Sequence, residues 1–149
     1  MALAYAYTVE RQENGWWLVR FPEIPEALTE GETDEEARAN AVDCVIAALE
    51  GYMKAGMPIP RPTAPDRGSR RAVLPSLVTA KLAVYETMRN RRWSKVKLAK
   101  ELALPENSVR RLLDLRHSSH IAIVDAALAK MNAELSIDLP EERPRGRAA

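Results

Sequence analysis

The run from Ser94 to Leu113 constrains this chain more than any other stretch, because its apolar residues fit two short helices with a tight turn between them. Ser94 suits the N-cap of the first, since its hydroxyl can accept a backbone N–H of the first turn. Val96, Leu98, Ala99 and Leu102 then fall at helical spacing on one face. The apolar run stops at Ala103-Leu104. Pro105 suits the first turn of a new helix, where a missing N–H costs nothing. Val109, Leu112 and Leu113 recur at i, i+3 and i+4, so the second helix also has a face to bury. Its other face carries Glu106, Asn107, Ser108, Arg110 and Arg111. A helix-turn-helix presents such a polar and basic second helix to the DNA major groove. The pattern alone fits a small helical bundle with a solvated basic face equally well.

Leu98-Ala99-x-x-Leu102, the turn, Val109-x-x-Leu112 and the basic loop that follows resemble the helix-turn-helix of the phage-repressor (Xre/Cro-like) family. The stretch departs from that family at Ala103, where glycine is usual, and at Pro105, where serine or threonine is usual. A left-handed alanine carries a small penalty. On this reading Glu106, Asn107, Ser108 and Arg110 are the candidates for base edges: Asn pairs with adenine, Arg with guanine, and Glu accepts from cytosine. Ser94, Lys95, Lys97, Arg111, Arg116 and His117 flank them as candidates for phosphates. One short helix reads few base pairs, so a homodimer or higher even oligomer on inverted-repeat, double-stranded operator DNA is expected. Its seam is expected in the apolar region from Ile121 to Leu139.

The net charge of +1 conceals an asymmetry. Residues 1–66 hold five Lys/Arg against twelve Asp/Glu, a net of −7, and residues 67–149 hold seventeen against nine, a net of +8. Such halves suit two domains with different partners, a polyanion for one and a basic partner for the other. The start lacks a basic n-region before Glu10 and Arg11, so no secretory signal is expected. No apolar run approaches the ~18 residues of a membrane span. Cys44 is the one cysteine, which excludes an intramolecular disulfide, and it reads as a buried inert thiol. A reducing cytoplasm fits.

Leu3 to Val9 alternates as a strand does, Asn14-Gly15 carries a hairpin signal, and Trp16 to Phe21 is the return strand. Pro22 and Pro25 end it. Ala27 to Glu30 reads as a third strand. Thr33 with Glu36 forms a capping box for a helix to about Tyr52, with Ala37, Ala41, Val45, Ala48, Leu49 and Tyr52 inward and Gly56 just past its end. The prolines at 58, 60, 62 and 65 mark a stiff linker over about 57–70. A last strand is expected over 71–74. Ser76 then caps a helix to about Arg91, and a final helix runs from Ile121 to about Leu135. Ser136 to Leu139 reads as a short strand and 140–149 as a flexible tail.

Three ordered blocks resemble the HicB antitoxin family: Gly15 followed by Phe21-Pro22-Glu23-Ile24-Pro25; Thr29-Glu30-Gly31-Glu32-Thr33 with Glu35-Glu36-Ala37; and Gly56-Met57-Pro58-Ile59-Pro60. The resemblance covers roughly residues 3 to 62. The departures are Glu23 for aspartate and Glu26-Ala27 for Gly-Cys. It implies an α+β chain: an N-terminal β-β-β-α-β partial ribonuclease-H-like domain over 1–68, then an all-α helix-turn-helix domain over 76–139. It also implies a type II antitoxin that binds and inhibits a HicA-like mRNA-cleaving ribonuclease toxin and represses its own operon. The acidic segment with Glu23, Glu26, Glu30 and Glu32 is the candidate toxin-facing surface, because carboxylates suit a basic ribonuclease. Asp34 to Glu36 also suit a helix N-terminus through its dipole.

The alternative function is a HicB-like transcriptional regulator without a toxin partner. A nuclease is a second rival. It would need carboxylates converging on metal, and the first strand offers no inward acid while Asp43 stands without a partner. His117 and His120 have no third ligand. No enzyme activity, metal or cofactor is expected, nor a membrane partner.

Overall fold

In the computed structural model, which describes residues 3–64 and 69–139, two cores share one helix. The first is built on a sheet. Tyr5, Tyr7 and Val9 alternate along β1 (Ala4–Arg11), which pairs antiparallel with β2 (Trp17–Arg20), Val9 opposite Val19. Gly15 serves a three-residue hairpin loop, not a two-residue one. Its N–H donates to the Gln12 carbonyl (2.9 Å), its φ is +87°, and the Gln12 N–H closes on Trp16 O at 2.7 Å. Glycine takes that left-handed position without a Cβ penalty. Two turns, Phe21 to Ile24 and Ile24 to Ala27, carry the chain to β3 (Leu28–Gly31). Strand β4 (Arg70–Val73) returns beside β1, with Ala4 opposite Val73, and the all-antiparallel order is β3-β2-β1-β4.

Helix α1 (Asp34–Lys54) lies on one face of this sheet. Ala37, Ala41, Val45, Ile46 and Leu49 bury against Tyr5, Tyr7, Val19 and Phe21, and the Tyr7 and Phe21 rings meet at 5.5 Å. Ala48 and Tyr52, expected inward, are half-buried, and Ile46 is buried instead. Thr33 caps the helix by accepting the Glu36 N–H at 3.1 Å. The Glu36 carboxylate reaches one residue further back than a capping box predicts, accepting the Glu32 N–H at 2.9 Å. Gly31 sits where a Cβ would lie 2.9 Å from Ala37 Cα and closer still to its nitrogen, so the strand meets the helix only through glycine. At the other end Gly56 (φ +67°) donates to Met53 O and Met57 to Tyr52 O, closing the last turn as expected.

Residues Met57 to Pro60, expected in a linker, are packed down. Ile59 is buried in the sheet core, and Tyr5 Oη donates to Pro60 O at 2.7 Å. Burial and the nearby Glu23 push the Tyr5 phenol up to about 12. Tyr85 Oη donates to Met57 O (2.8 Å), and Glu86 Oε1 accepts the Ile59 N–H (2.9 Å). Residues 65–68 of the expected linker and the expected tail 140–149 lie outside the described residues.

Helix α2 (Ser76–Arg91) is the shared element. Val78 and Leu82 join the sheet core, while Ala80, Val84 and Met88 join a second, helical core. Helices α3 (Lys95–Leu102), α4 (Glu106–Leu113) and α5 (Ile121–Lys130) complete the latter with Leu98, Val109, Leu112, Val124 and Leu128. Four local expectations need correction. Ser76 does not cap α2; Pro75 holds the N-cap position with no side-chain bond. Val96, expected inward, is 52% exposed. Helix α5 stops at Lys130 because Asn132 turns left-handed (φ +51°) and the Ala133 N–H returns to Leu128 O. Residues 136–139 form no strand: among the described residues no strand pairs with them, and Ile137 and Leu139 stand exposed.

Candidate functional site

The α3–α4 pair holds its outer face rigidly from beneath. Ser94 Oγ accepts the Lys97 N–H at 3.0 Å, starting α3 as expected. Ala103 ends α3 in the left-handed region (φ +52°), the Leu104 N–H bonds to Ala99 O, and Pro105 takes the N-cap of α4. The left-handed turn that the sequence resemblance would place on glycine is made here with alanine, at a cost of about 1–2 kcal/mol. Val109 and Leu112 are buried, which fixes the rotation of α4. Glu106, Asn107, Arg110 and Arg111 are thereby exposed together, and Ser108 is half-buried. Arg110 makes one loose ion pair, 3.9 Å to Glu106, so both side chains remain available.

The predicted phosphate residues divide. Lys95 and Lys97 are exposed on α3, and Lys97 Nζ stands 4.6 Å from the Trp93 ring centroid. Arg111 shares the α4 face. His117 is exposed, its Nδ1 3.2 Å from Ser119 Oγ. Arg116 is elsewhere: its guanidinium donates to Asp43 Oδ1 and to Glu50 Oε1 (3.2 Å), both on α1. Those bonds raise its pKa further. Asp43, read from sequence as unpartnered, thus has a partner 73 residues away.

Lys81 is a residue that sequence reasoning missed. It has no exposed surface, and its Nζ donates to the carbonyls of Arg111 (3.1 Å), Asp114 (2.6 Å) and His117 (2.6 Å). Burial lowers its pKa, and the Asp114 charge opposes this. The ammonium gathers the C-terminal end of α4 and the loop after it, where carbonyls lack helical donors and the dipole favours a cation. Its signal was a lone lysine inside the apolar run from Leu77 to Val84.

The acidic segment is also divided. Glu23 accepts the Thr63 N–H (3.2 Å) and its hydroxyl; burial pushes its carboxyl up, and these bonds outweigh it, leaving the pKa lowered. Glu26 accepts the Tyr52 hydroxyl at 3.0 Å, and Glu30 and Glu32 are exposed. Asp34 is held low by Arg70 and Arg38. Cys44 is half-buried, and burial followed by Asp43 raises its pKa, keeping it a thiol. Among the described residues no three His, Cys, Asp or Glu side chains gather as a metal site. No helix among them is long and apolar enough to cross a membrane.

The family model described as the HicB-like antitoxin of bacterial toxin–antitoxin systems matches residues 4–83. The chain belongs to the HicB-like antitoxin family. Similar proteins include antitoxin HicB 1 of Photorhabdus laumondii, 32% identical over 137 residues that cover 92% of this chain and 87% of that protein. Antitoxin HicB of Escherichia coli K12 is 29% identical over 135 residues, 91% of this chain and 98% of its own. Antitoxin HicB of Pseudomonas fluorescens is 32% identical over 136 residues, 91% and 92%. The match to the HicB-like family reaches beyond the blocks read from sequence and into α2, the helix both cores share. These relatives are named antitoxins and not enzymes, in line with the sequence reading.

Proposed function

We propose that this HicB-like chain is the antitoxin of a type II toxin–antitoxin pair: it binds and inhibits a HicA-like mRNA-cleaving ribonuclease and represses its own operon. The observation that carries the reading is that relatives named antitoxin HicB align with both halves of the chain, the sheet unit and the helical unit alike. In this division of labour the partial ribonuclease-H-like β-β-β-α-β unit is a binding scaffold. The α3–α4 pair is the helix-turn-helix. Glu106, Asn107, Ser108 and Arg110 read bases, and Lys95, Lys97, Arg111 and His117 hold phosphates. The Ser94 hydroxyl, already accepting a backbone N–H, can still donate to a phosphate. Arg116 joins them only on leaving Asp43 and Glu50.

Repression needs two recognition helices one helical turn, or a multiple of it, apart on an inverted repeat. The exposed Ile121, Ile137 and Leu139 support a dimer seam at the C-terminal end. A gel-shift titration of the full chain on the DNA upstream of its own gene tests the DNA half. Tight, salt-dependent binding to one inverted repeat is expected, and equal affinity for unrelated DNA refutes the operator assignment. Rescue of growth on co-expression with a HicA-like ribonuclease partner tests the toxin half.

A further inference from the structure

Strand β3 is an edge of the sheet, and a groove of about 450 Å3 runs between it and the outward side of α1. Glu26 and Thr29 border it from the strand side, and Asn40, Asp43 and Ala47 from the helix. Leu28, 54% exposed, stands at its mouth. No lysine or arginine lines it. An edge strand offers unpaired main-chain groups to an incoming strand. This edge is only lightly protected: the Asn40 amide covers the Glu30 carbonyl at 3.1 Å.

The same side of α1 already holds an arginine. Arg116 bonds to Asp43, in the groove, and to Glu50, two turns further along the helix. That internal pairing demonstrates the kind of group this face accepts, a guanidinium between carboxylates. Two other described surfaces carry more positive charge. The opposite sheet edge, β4, carries Arg70 and Arg71, and the cleft between α1 and α4 is bordered by Lys54, Lys95 and Arg110 against Glu50 and Asp114.

We propose that the groove between β3 and α1 is the docking surface for a basic, extended segment of the ribonuclease toxin, laid along the β3 edge with arginine or lysine side chains on Glu26 and Asp43. The inference rests on the antitoxin reading above and names the surface that performs it. It moves the contact away from Glu23, whose carboxylate is engaged by Thr63, and adds α1 residues to it. It has a second consequence: a partner cation on Asp43 competes with Arg116 and frees that side chain beside the DNA-reading helix.

The test uses the full chain and the HicA-like ribonuclease that the antitoxin reading assigns to it. Leu28→Arg and Ala47→Arg place positive charge and bulk in the groove, and each is expected to weaken the complex by about 100-fold or more through like-charge contact. Val73→Arg on the far edge, also exposed, is expected to stay within about 3-fold, since it lies off the interface. Gel-shift affinity for operator DNA and the circular dichroism melt show that each variant is folded. Hydrogen exchange on the wild-type complex gives a reading free of mutations: amides of Leu28–Gly31 and of α1 from Asn40 to Ala48 become protected. Undiminished binding by both groove variants, with protection appearing at β4 or in the helical core, overturns the surface while leaving the antitoxin reading standing. A wild-type chain that forms no complex with the ribonuclease overturns both.

Discussion

Replacing Lys81 by methionine is expected to loosen the end of α4, the proposed DNA-reading helix. The variant keeps the length of the stem and removes the ammonium. Three hydrogen bonds of a charged donor are lost, each worth ~1.5–3 kcal/mol. The desolvation cost of the ammonium, several kcal/mol, is relieved at the same time. Two of the carbonyls keep a backbone donor, Arg111 O from Asp114 N and Asp114 O from His117 N, both at 3.2 Å. The His117 carbonyl does not have one among the described bonds, and leaving this part-buried carbonyl unpaired costs at most the ~1–3 kcal/mol of a buried one. The net expectation is a destabilisation of ~2–4 kcal/mol, within the ordinary effect of removing one partner from a buried charged cluster. Urea unfolding of the full chain measures it. Operator affinity is expected to fall by more than toxin affinity, because the carbonyls belong to α4 and its following loop and not to the sheet. If Lys81→Met unfolds at the wild-type urea concentration with unchanged operator affinity, the three bonds do not position α4 and the argument fails.

Ala103→Gly removes the left-handed penalty at the α3–α4 turn, so the thermal midpoint should rise, with about 0.5–1 kcal/mol of added stability. Arg110→Ala should cost ~1–3 kcal/mol on operator DNA and relax selectivity at one position, whereas Lys95→Ala should weaken all sequences alike and lower the salt slope by about 1; unchanged affinity of Arg110→Ala on its operator refutes the base contact. Asp34 is held below its ordinary pKa, so its contribution is complete above the usual aspartate range of about 3.9 and is lost as pH falls through its lowered value. Acid unfolding of Asp34→Asn should therefore lack that part of the transition, and identical acid profiles for variant and wild type refute the pairing with Arg70 and Arg38.

Local signals carried most of the fold. Alternation in Leu3 to Val9, the Thr33 cap, Gly56 past α1 and the Ser94 cap all act within a few residues, and each is found where the residues place it. The misread roles of Lys81 and Arg116 share a different cause, distance along the chain. Lys81 finds its carbonyls 30 to 36 residues away, and Arg116 finds its carboxylates 66 and 73 away. Composition presents both as ordinary surface cations. Ile59 shows the same limit: flanked by Pro58 and Pro60 it reads as spacer, yet it is the apolar anchor that fastens the segment to the sheet. Ile137 and Leu139 show the converse, since alternation without a neighbouring strand makes no strand. The exposed face of α4 was legible because burial of Val109 and Leu112 dictates it; which acidic residues already hold an internal partner was not, because Thr63 bonds Glu23 and Tyr52 bonds Glu26 from 40 and 26 residues away.

The measurement that bears most directly on the antitoxin account is RNA cleavage by the purified HicA-like ribonuclease that the account assigns as partner, titrated with the full chain. The account predicts that cleavage stops at a stoichiometric end-point, that the chain cleaves nothing by itself, and that the inhibited complex elutes as one species. Cleavage that continues undiminished at a large excess of the folded chain would contradict it.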